Sequence, residues 1–576
     1  MARSLLGQMP VAIPEAFGVG RVGDGAGLVA VVPGRGAPAR LRSVGRASGP
    51  RVLWHAFCLL AWIVFFAATA VVAGPDATWD LRNYHLYAPF ALFEGRLEFD
   101  LAPAQLQTYL SPTLDIPGHW LRTRLNAHPD LLDALLSLPH GIGAYLATLI
   151  ALRFVPAGFS WRWPAAMALA AVGATGAAGF TTVATSQSEM VPGCFILGGV
   201  LLLLRCFEAG PTRRVPIAAG LLFGAAAGLK LTGTPYCLAA AVAVALGWPG
   251  SAREKCVAVS LFGLAVLGGA LLLSGWWWWR LYDLYGSPLF PYYNSVFQSP
   301  HAPPLDATDE RFKPKGLVQA LFYPFYWGFG WRHPVTEPTM RDPRFALAYV
   351  AFGVAVVRHV LRPPLSGDVT GRQTGVLLAF FGVSYLAWQV QFSILGYLAP
   401  LEMLCGIVIC LPLRALGGVR WGRPAAGAAA VLVCASLMAL TFYPDWGRAQ
   451  PRDKAVAVDV PPLDARGLVV LLDASPMGYL AAFVPRSVRV VGANHWLVHP
   501  GRGGLLQERV DRLIETHPGP IYGMENQRDL PGMADRTLAH YGLRRGEGCD
   551  RVRSNLDRDG VVVCPLVKGG VPPTRP

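Results

Sequence analysis

A short polar segment directly after the first apolar stretch carries the residues best suited to acid–base chemistry: Asp80, Asn83, Tyr84 and Tyr87. Asp80, Tyr84 and Tyr87 are spaced at i, i+4 and i+7, so on a helix they share one face. That face would direct a carboxylate into a cleft, where it could take a proton from an attacking hydroxyl group. The alternative is an interfacial helix, with Tyr side chains as anchors and Asp80 as a solvated cap.

Three further charged residues border apolar stretches. Glu189 stands where an apolar helix begins, a position that the helix dipole also favours for an acid without any catalytic role. Lys230 lies in an apolar context, which is costly and therefore indicates function, although its long side chain could instead reach the membrane surface. Arg280 follows four consecutive tryptophans, which are typical of a membrane interface.

The elements that must position these residues are transmembrane helices. The chain has 576 residues, of which 53% are hydrophobic and only 15% charged, whereas soluble domains carry about 25% charged residues. Apolar stretches close to the length needed to cross a bilayer recur along the chain. We predict about eleven spans, at 52–73, 129–152, 163–183, 190–206, 214–229, 234–248, 256–275, 343–361, 374–392, 398–415 and 424–443.

Basic residues define the predicted orientation of these spans. The first 50 residues lack the features of a signal peptide and are interpreted as a disordered, basic, cytoplasmic tail. The even-numbered connections then lie inside, and all of them contain Arg or Lys, as the positive-inside rule requires. Topology therefore explains the net charge of +14 better than nucleic-acid binding does. An odd number of spans places the C-terminus outside.

Three polar segments on the predicted outer side are too long to be simple turns: 75–128, 276–342 and 444–576. The membrane domain accordingly covers 51–443. The last segment alternates apolar runs with amphipathic stretches, which predicts a small α/β domain. It contains Cys549 and Cys564, for which an oxidising compartment would permit a disulfide. The other eight cysteines lie in or beside apolar stretches, where they are expected to be small core residues.

The first polar segment resembles a known family. The order of Asp80 after the first span, Tyr84, and then Leu-x-x-Gly at 92–95 is similar to the first outer loop of GT-C-type glycosyltransferases. The stretch Tyr-Leu-Ser-Pro at 109–112 is similar to the Tyr-x-x-Pro that often follows there. These multi-span enzymes take sugars from polyprenyl-phosphate donors, and they include protein O-mannosyltransferases and the aminoarabinose transferase of lipid A.

The resemblance implies roles for the charged residues. Asp80 takes the position of the family's catalytic base, and Glu189 matches an acid in the loop after the third span. Lys230 and Arg280 are candidates to bind the donor phosphate, where negative charge develops as the sugar leaves. Asn83, Tyr84 and Tyr87 would then line the substrate cleft. If a metal is used, Asp80 and Glu189 would hold Mg²⁺ or Mn²⁺, which prefer oxygen ligands.

The sequence departs from the family pattern at two places. Ser287 replaces an Asn in the stretch 285–291, and Gly396 stands where relatives often have Arg before Tyr. The second departure weakens the expectation of a donor-phosphate arginine there and leaves altered or lost activity open. A zinc site is not expected, because the spacing of His85, His119 and His128 does not place two on one helical face.

The sequence as a whole predicts an all-α polytopic membrane protein of GT-C-like fold, with a small C-terminal α/β domain, in the bacterial inner membrane. The predicted activity is inverting transfer of a sugar from a polyprenyl-phosphate donor to a lipid, glycan or protein of the envelope. Two alternatives remain: a flippase for lipid-linked sugars, or a non-catalytic assembly protein. The enzyme requires Asp80, Glu189 and Lys230 to converge on one cleft, whereas a transporter would keep its polar groups near the bilayer midplane.

Overall fold

The computed structural model describes residues 49–187, 189–330, 334–365, 368–415, 423–449, 453–528 and 532–569. The predicted tail therefore lies outside the described residues, except for the last two positions of 1–50. From Leu53 to Pro576 the chain forms one compact unit.

Every apolar stretch predicted to span the membrane coincides with a helix. Leu, Val and Ala dominate these stretches, and in a bilayer a helix satisfies all of its backbone polar groups internally. The helices are Gly49–Ala73, Pro129–Leu136 with Leu138–Ala151, Arg162–Ala174, Met190–Ala209, Arg214–Leu229, Thr234–Gly247, Ala252–Tyr285, Arg344–Leu361, Val369–Gln391, Cys405–Ala415 and Arg423–Leu440.

Fewer of these helices than expected are long enough to cross a bilayer alone. Among the described residues six meet the criteria of length and composition, and a bent pair, Leu395–Glu402 with Cys405–Pro412, brings the number to seven. The helix Arg214–Leu229 has 16 residues, about 24 Å at 1.5 Å per residue, which is less than the bilayer core of about 30 Å. The chain is a multi-pass membrane protein, and the count of eleven stays a prediction.

The longest helix, Ala252–Tyr285, continues ten residues beyond the predicted end of its span at 275. It begins with a capping box between Ser251 and Glu254, and it ends at Gly286, whose φ of 69° stops the helix. The tryptophan run thus belongs to this helix, and the boundary of the outer segment 276–342 stays a prediction. The hydropathy pattern missed these turns because they combine aromatic with charged residues.

Glycines allow the helix Arg214–Leu229 to pack closely against Ala252–Tyr285. Gly220, Gly224 and Gly228 recur at every fourth position, and a Cβ atom at each would lie within 3.0 Å of backbone atoms of the long helix. Small residues at this spacing are a common means of close helix contact in membranes. The contact fixes the end of the shorter helix, where Lys230 follows.

The C-terminal segment forms a mixed sheet, as predicted, with two helices, Leu505–Thr516 and Met533–His540. Three strands at one side of the sheet are parallel, in the order β3–β2–β4 with β3 at the edge, and β7 pairs antiparallel with β4. A disulfide joins Cys549 to Cys564. The strands are β1 Val458–Asp459, β2 Leu468–Leu471, β3 Arg489–Gly492, β4 Ile521–Asn526, β5 Leu543–Arg545, β6 Asp550–Ser554 and β7 Val561–Lys568.

The first polar segment docks on the edge of this sheet. The backbone of Leu101 exchanges hydrogen bonds with Val490 and Gly492 of β3, at 3.1 and 2.9 Å. Arg96 forms a bidentate ion pair with Asp100, at 2.8 and 2.7 Å, and also donates to backbone carbonyls next to β3. The segment that carries Asp80 is therefore held by the C-terminal sheet as well as by the helices.

Candidate functional site

Asp80 immediately precedes a π-helical turn, Leu81–His85. Single π-helical turns are uncommon and occur often at functional sites. Tyr84 and His85 are buried in this turn, whereas Asp80 is half-buried and keeps contact with solvent. The turn thus presents one accessible carboxylate beside two buried ring side chains.

Asp76 joins this turn to the loop that contains Glu189. Its two carboxylate oxygens accept backbone hydrogen bonds from Thr78 at 2.9 Å and from Ser186 at 2.6 Å. The side-chain hydroxyls of Thr78 and Ser186 are also 3.4 Å apart. Because Asp76 is buried, these charge-assisted bonds fix the two loops firmly side by side.

Lys230 reaches the same place from the end of the helix Arg214–Leu229. Its backbone turns to an extended conformation at the end of that helix. Its ammonium group forms an ion pair with the Glu189 carboxylate and donates a 3.0 Å hydrogen bond to the carbonyl of Gln187. The same group lies 5.7 Å from the centre of the Tyr397 ring, within the range of a cation–π contact.

Electrostatic coupling shows that Asp80 belongs to this cluster. Burial raises the pKa of the Glu189 carboxyl above its usual value; Lys230 lowers it, and the negative charge of Asp80 raises it. Burial and the charges of Asp80 and Asp115 raise the pKa of the Tyr84 hydroxyl, which therefore stays protonated at neutral pH. Asp80, Glu189 and Lys230, distant in sequence, are thus brought together around Tyr84.

A small cleft of about 70 Å³, partly open to solvent, lies beside the cluster. Tyr84 and Lys230 line the cleft. Glu189 lies behind this lining as the ion-pair partner of Lys230, and Asp80 lies near Tyr84, on which its charge acts. Most of the remaining surface is aromatic or aliphatic. Its other polar and aromatic lining residues are His85, Tyr109, Ser111, Asp115, Trp277, Trp278, Phe290 and Tyr292.

Three other predicted site residues lie away from this cleft. Tyr87 is buried and donates a 3.2 Å hydrogen bond to Asp100, because the wider π-helical turn rotates it away from the face that Asp80 and Tyr84 were expected to share with it. The Asn83 amide donates within its own segment, to the carbonyl of Ala104 and to Gln107. Arg280 is half-exposed and paired with Glu98.

The donor set does not fit the expected metal. One oxygen of Glu189 is already engaged by the Lys230 ammonium, and Mg²⁺ or Mn²⁺ would have to displace that cation. No group of three or more His, Cys, Asp or Glu side chains that could hold a metal occurs in the part of the chain that the structure describes. We therefore route no step of the chemistry through a metal.

Gly396, the position of the missing arginine, faces the cluster. A Cβ atom there would lie 3.9 Å from the Cγ atom of Glu189. Sequence reasoning also missed a pair of site residues, His85 and Asp115, whose side chains are in contact. No spacing rule could have found that pair, because 30 residues separate its members.

No protein-family model matches the sequence, and no curated protein matches it either. Among solved structures, ArnT from Cupriavidus metallidurans bound to undecaprenyl phosphate is similar, with a TM-score of 0.47 and 11% identity over 90% of this chain and 98% of ArnT. The apo state of ArnT gives 0.48 and 13%, over 89% of this chain and 98% of ArnT. An oligosaccharyltransferase from Archaeoglobus fulgidus, in complex with zinc and sulfate, gives 0.41 and 12%, over 86% of this chain and 71% of its own.

These similarities, with TM-scores below 0.5 and identities of 11–13%, transfer no role to any residue of this chain. What this chain does has to be argued from its own site residues.

Proposed function

We propose that the chain is an inverting glycosyltransferase of the GT-C type, which moves a sugar from a polyprenyl-phosphate donor to a lipid, glycan or protein acceptor of the cell envelope. One observation carries the proposal: Asp80, Tyr84, Glu189 and Lys230 meet beside an aromatic cleft. We place the enzyme in the bacterial inner membrane, with the cleft and the C-terminal domain on the periplasmic side.

In the proposed reaction Asp80 acts as the general base. It takes the proton from the acceptor hydroxyl while the hydroxyl oxygen attacks the anomeric carbon. The bond from that carbon to the phosphate oxygen breaks, and its electron pair stays with the phosphate. Attack opposite the leaving group inverts the configuration at the anomeric carbon and needs no covalent intermediate.

Lys230 supplies positive charge for the phosphate, and Glu189 positions it. Lys230 lines the cleft, where its positive charge would stabilise the developing phosphate anion. The ion pair with Glu189 limits the motion of the long lysine side chain. Arg280 has no place in this mechanism, because its guanidinium group pairs with Glu98 on the exposed surface.

The cleft suits an amphipathic donor. Trp277 and Trp278 provide apolar surface for a sugar face or for the first prenyl unit, and Lys230 provides the charge at one side. The polyprenyl chain of the donor would remain in the surrounding lipid bilayer.

The test is transfer from radiolabelled polyprenyl-phosphate sugars to endogenous acceptors in membranes that contain the protein. Asp80→Asn should lower the rate by about 100-fold or more, the usual contribution of a positioned base. Asp283→Asn removes an exposed carboxylate on the helix Ala252–Tyr285 and should leave the rate unchanged. If Asp80→Asn inserts normally and keeps most of the activity, Asp80 is not the base.

A further inference from the structure

His85 and Asp115 form a buried pair that the mechanism above does not use. His85 Nδ1 lies 2.5 Å from a carboxylate oxygen of Asp115, and the two side chains are only 2% and 8% exposed. The other ring nitrogen of His85, Nε2, is buried and has no hydrogen-bond partner among the described residues. A buried polar atom without a partner costs free energy, so it indicates a group that is completed by a ligand.

The pair stands on the wall of the cleft. His85, Asp115 and Lys230 all contribute to the lining, and the ring of Tyr84 lies 3.9 Å from the His85 ring, centre to centre. Asp115 accepts a hydrogen bond from Nδ1–H and thereby fixes both the orientation of the ring and the nitrogen left for a ligand. With Nδ1–H bonded to Asp115, Nε2 is the nitrogen left for a ligand, and it donates to that ligand when the ring is protonated.

The charges around the cleft show why a second cation is needed. Glu189 already neutralises Lys230, and Asp80 and Asp115 add further negative charge nearby. The net negative charge of this group disfavours a phosphate. A protonated His85 reduces that charge by one and forms one hydrogen bond to Asp115 and one to the phosphate.

We propose that His85, positioned by Asp115, binds the phosphate group of the polyprenyl donor through Nε2–H and stabilises that group as the sugar leaves. The inference rests on the proposed function and specifies which side chain receives the leaving group. As the bond from the anomeric carbon to the phosphate oxygen breaks, the electron pair moves to that oxygen and His85 donates a hydrogen bond to it. The proton of the acceptor goes to Asp80, so His85 transfers none.

The test measures equilibrium binding of radiolabelled undecaprenyl phosphate to the full chain in phosphatidylcholine nanodiscs. His85→Ala should weaken binding about 10-fold or more, since charge-assisted hydrogen bonds are the strong ones. His85→Gln keeps a side-chain N–H donor without the positive charge and should restore part of the affinity. Asp115→Asn should weaken binding less than His85→Ala does. His128→Gln, at an exposed histidine of the same polar segment, is the matched control and should bind like the wild type.

Competition by a lipid-free anion identifies the ligand. Inorganic phosphate should compete only at concentrations far above that of the lipid. Competition at equal concentration would overturn the assignment to a polyprenyl phosphate. Unchanged lipid affinity in folded His85→Ala or in His85→Asp, checked by size exclusion and thermal unfolding, would overturn the role of His85.

The inference and the proposed function fail separately. If the wild type transfers sugar and His85→Ala binds the lipid normally, the inference alone is wrong. If no donor supports transfer but lipid binding depends on His85, the enzyme is refuted while the phosphate site stands. In the transfer assay, Asp115→Asn should raise the KM for the donor more than it lowers kcat, and a purely structural role would not produce that split.

Discussion

Lys230 and Glu189 form a largely buried ion pair, so removing one partner leaves the other charge in a site with little water. Breaking such a pair typically costs about 3–5 kcal/mol, whereas removing both charges costs far less. We expect Lys230→Met to lower the unfolding temperature in detergent by several degrees. Lys230→Met/Glu189→Gln should recover most of that loss. Equal unfolding temperatures for the single and double variants would show that the two charges are not coupled.

The same pair predicts a dependence on pH. Burial raises the pKa of Glu189 above its usual value of 4.5, and Lys230 opposes that rise. In Lys230→Met the folded-state pKa of Glu189 should therefore rise further, so the folded form holds the proton more tightly than the unfolded form does. Stability from this group is full below pH 4.5 and is lost as the pH rises through the folded-state pKa.

Lys230→Met should consequently unfold at a higher temperature at pH 5 than at pH 8, relative to Lys230→Met/Glu189→Gln measured at the same two values. The double variant serves as the control because it has no carboxyl at this position. A constant difference between the two variants across this range would contradict the assigned cause.

At the residue scale, the sequence was most informative where a charge stands against an apolar background. Asp80, Glu189 and Lys230 stand out in this way, and the structure brings them together. Helical spacing predicted that Tyr87 lines the cleft. In the structure a π-helical turn precedes Tyr87, and its side chain instead contacts Asp100. His85 gave no signal, because its partner Asp115 becomes a neighbour only through tertiary folding.

At the scale of elements, the ion pair of Arg96 and Asp100 holds the first polar segment on the edge strand β3. Burial raises the pKa of Asp100, and the Arg96 guanidinium opposes that rise while it also donates to Arg486 and Val488. Arg96→Met should destabilise the protein by about 3–5 kcal/mol, the usual cost of an uncompensated buried charge. Arg96→Lys should rescue little, because lysine cannot form the bidentate contact.

Chemical unfolding of the purified protein measures this effect, and limited proteolysis locates it. We expect new cleavage within 86–110 in Arg96→Met, where the segment would leave the sheet. Arg486→Met removes an exposed ion pair with Glu94 and should change stability by less than about 1 kcal/mol. If Arg96→Met is as stable as the wild type, the ion pair of Arg96 and Asp100 does not hold the segment on the sheet.

Hydropathy located the helices because lipid exposure requires long apolar stretches, and it failed where packing decides the structure. The last turns of Ala252–Tyr285 combine tryptophans with charged residues, so they were interpreted as a loop. In the folded chain Trp277 is buried and donates a 2.9 Å hydrogen bond to the carbonyl of Tyr109. Contacts of this kind join distant segments and leave no periodic pattern in the sequence.

At the scale of the whole molecule, the long helix shows that the cleft and the C-terminal domain lie on the same side. This conclusion does not require the number of spans to be known. Trp277 and Leu281 line the cleft near the end of Ala252–Tyr285, and both pack in one core with residues of the C-terminal sheet. The cleft and the sheet thus lie at the same end of this helix. The predicted common side no longer depends on whether the number of spans is odd.

Cysteine chemistry can show which side of the membrane that end faces. Cys256 is exposed near the start of Ala252–Tyr285; at 1.5 Å per residue it lies about 38 Å from Leu281, more than the thickness of the bilayer core. The disulfide of Cys549 and Cys564 is at the opposite end and is expected to form in an oxidising compartment.

In intact spheroplasts a membrane-impermeant maleimide should label Cys549 and Cys564 after mild reduction and not before. Cys256, kept as the single thiol of a variant whose other cysteines are replaced by serine or alanine, should react only after the membrane is permeabilised. This outcome would place the cleft on the periplasmic side, where donors that have crossed the membrane are available. Labelling of Cys256 in intact spheroplasts would show that the protein has the opposite orientation. Asp80 would then act on the cytoplasmic side.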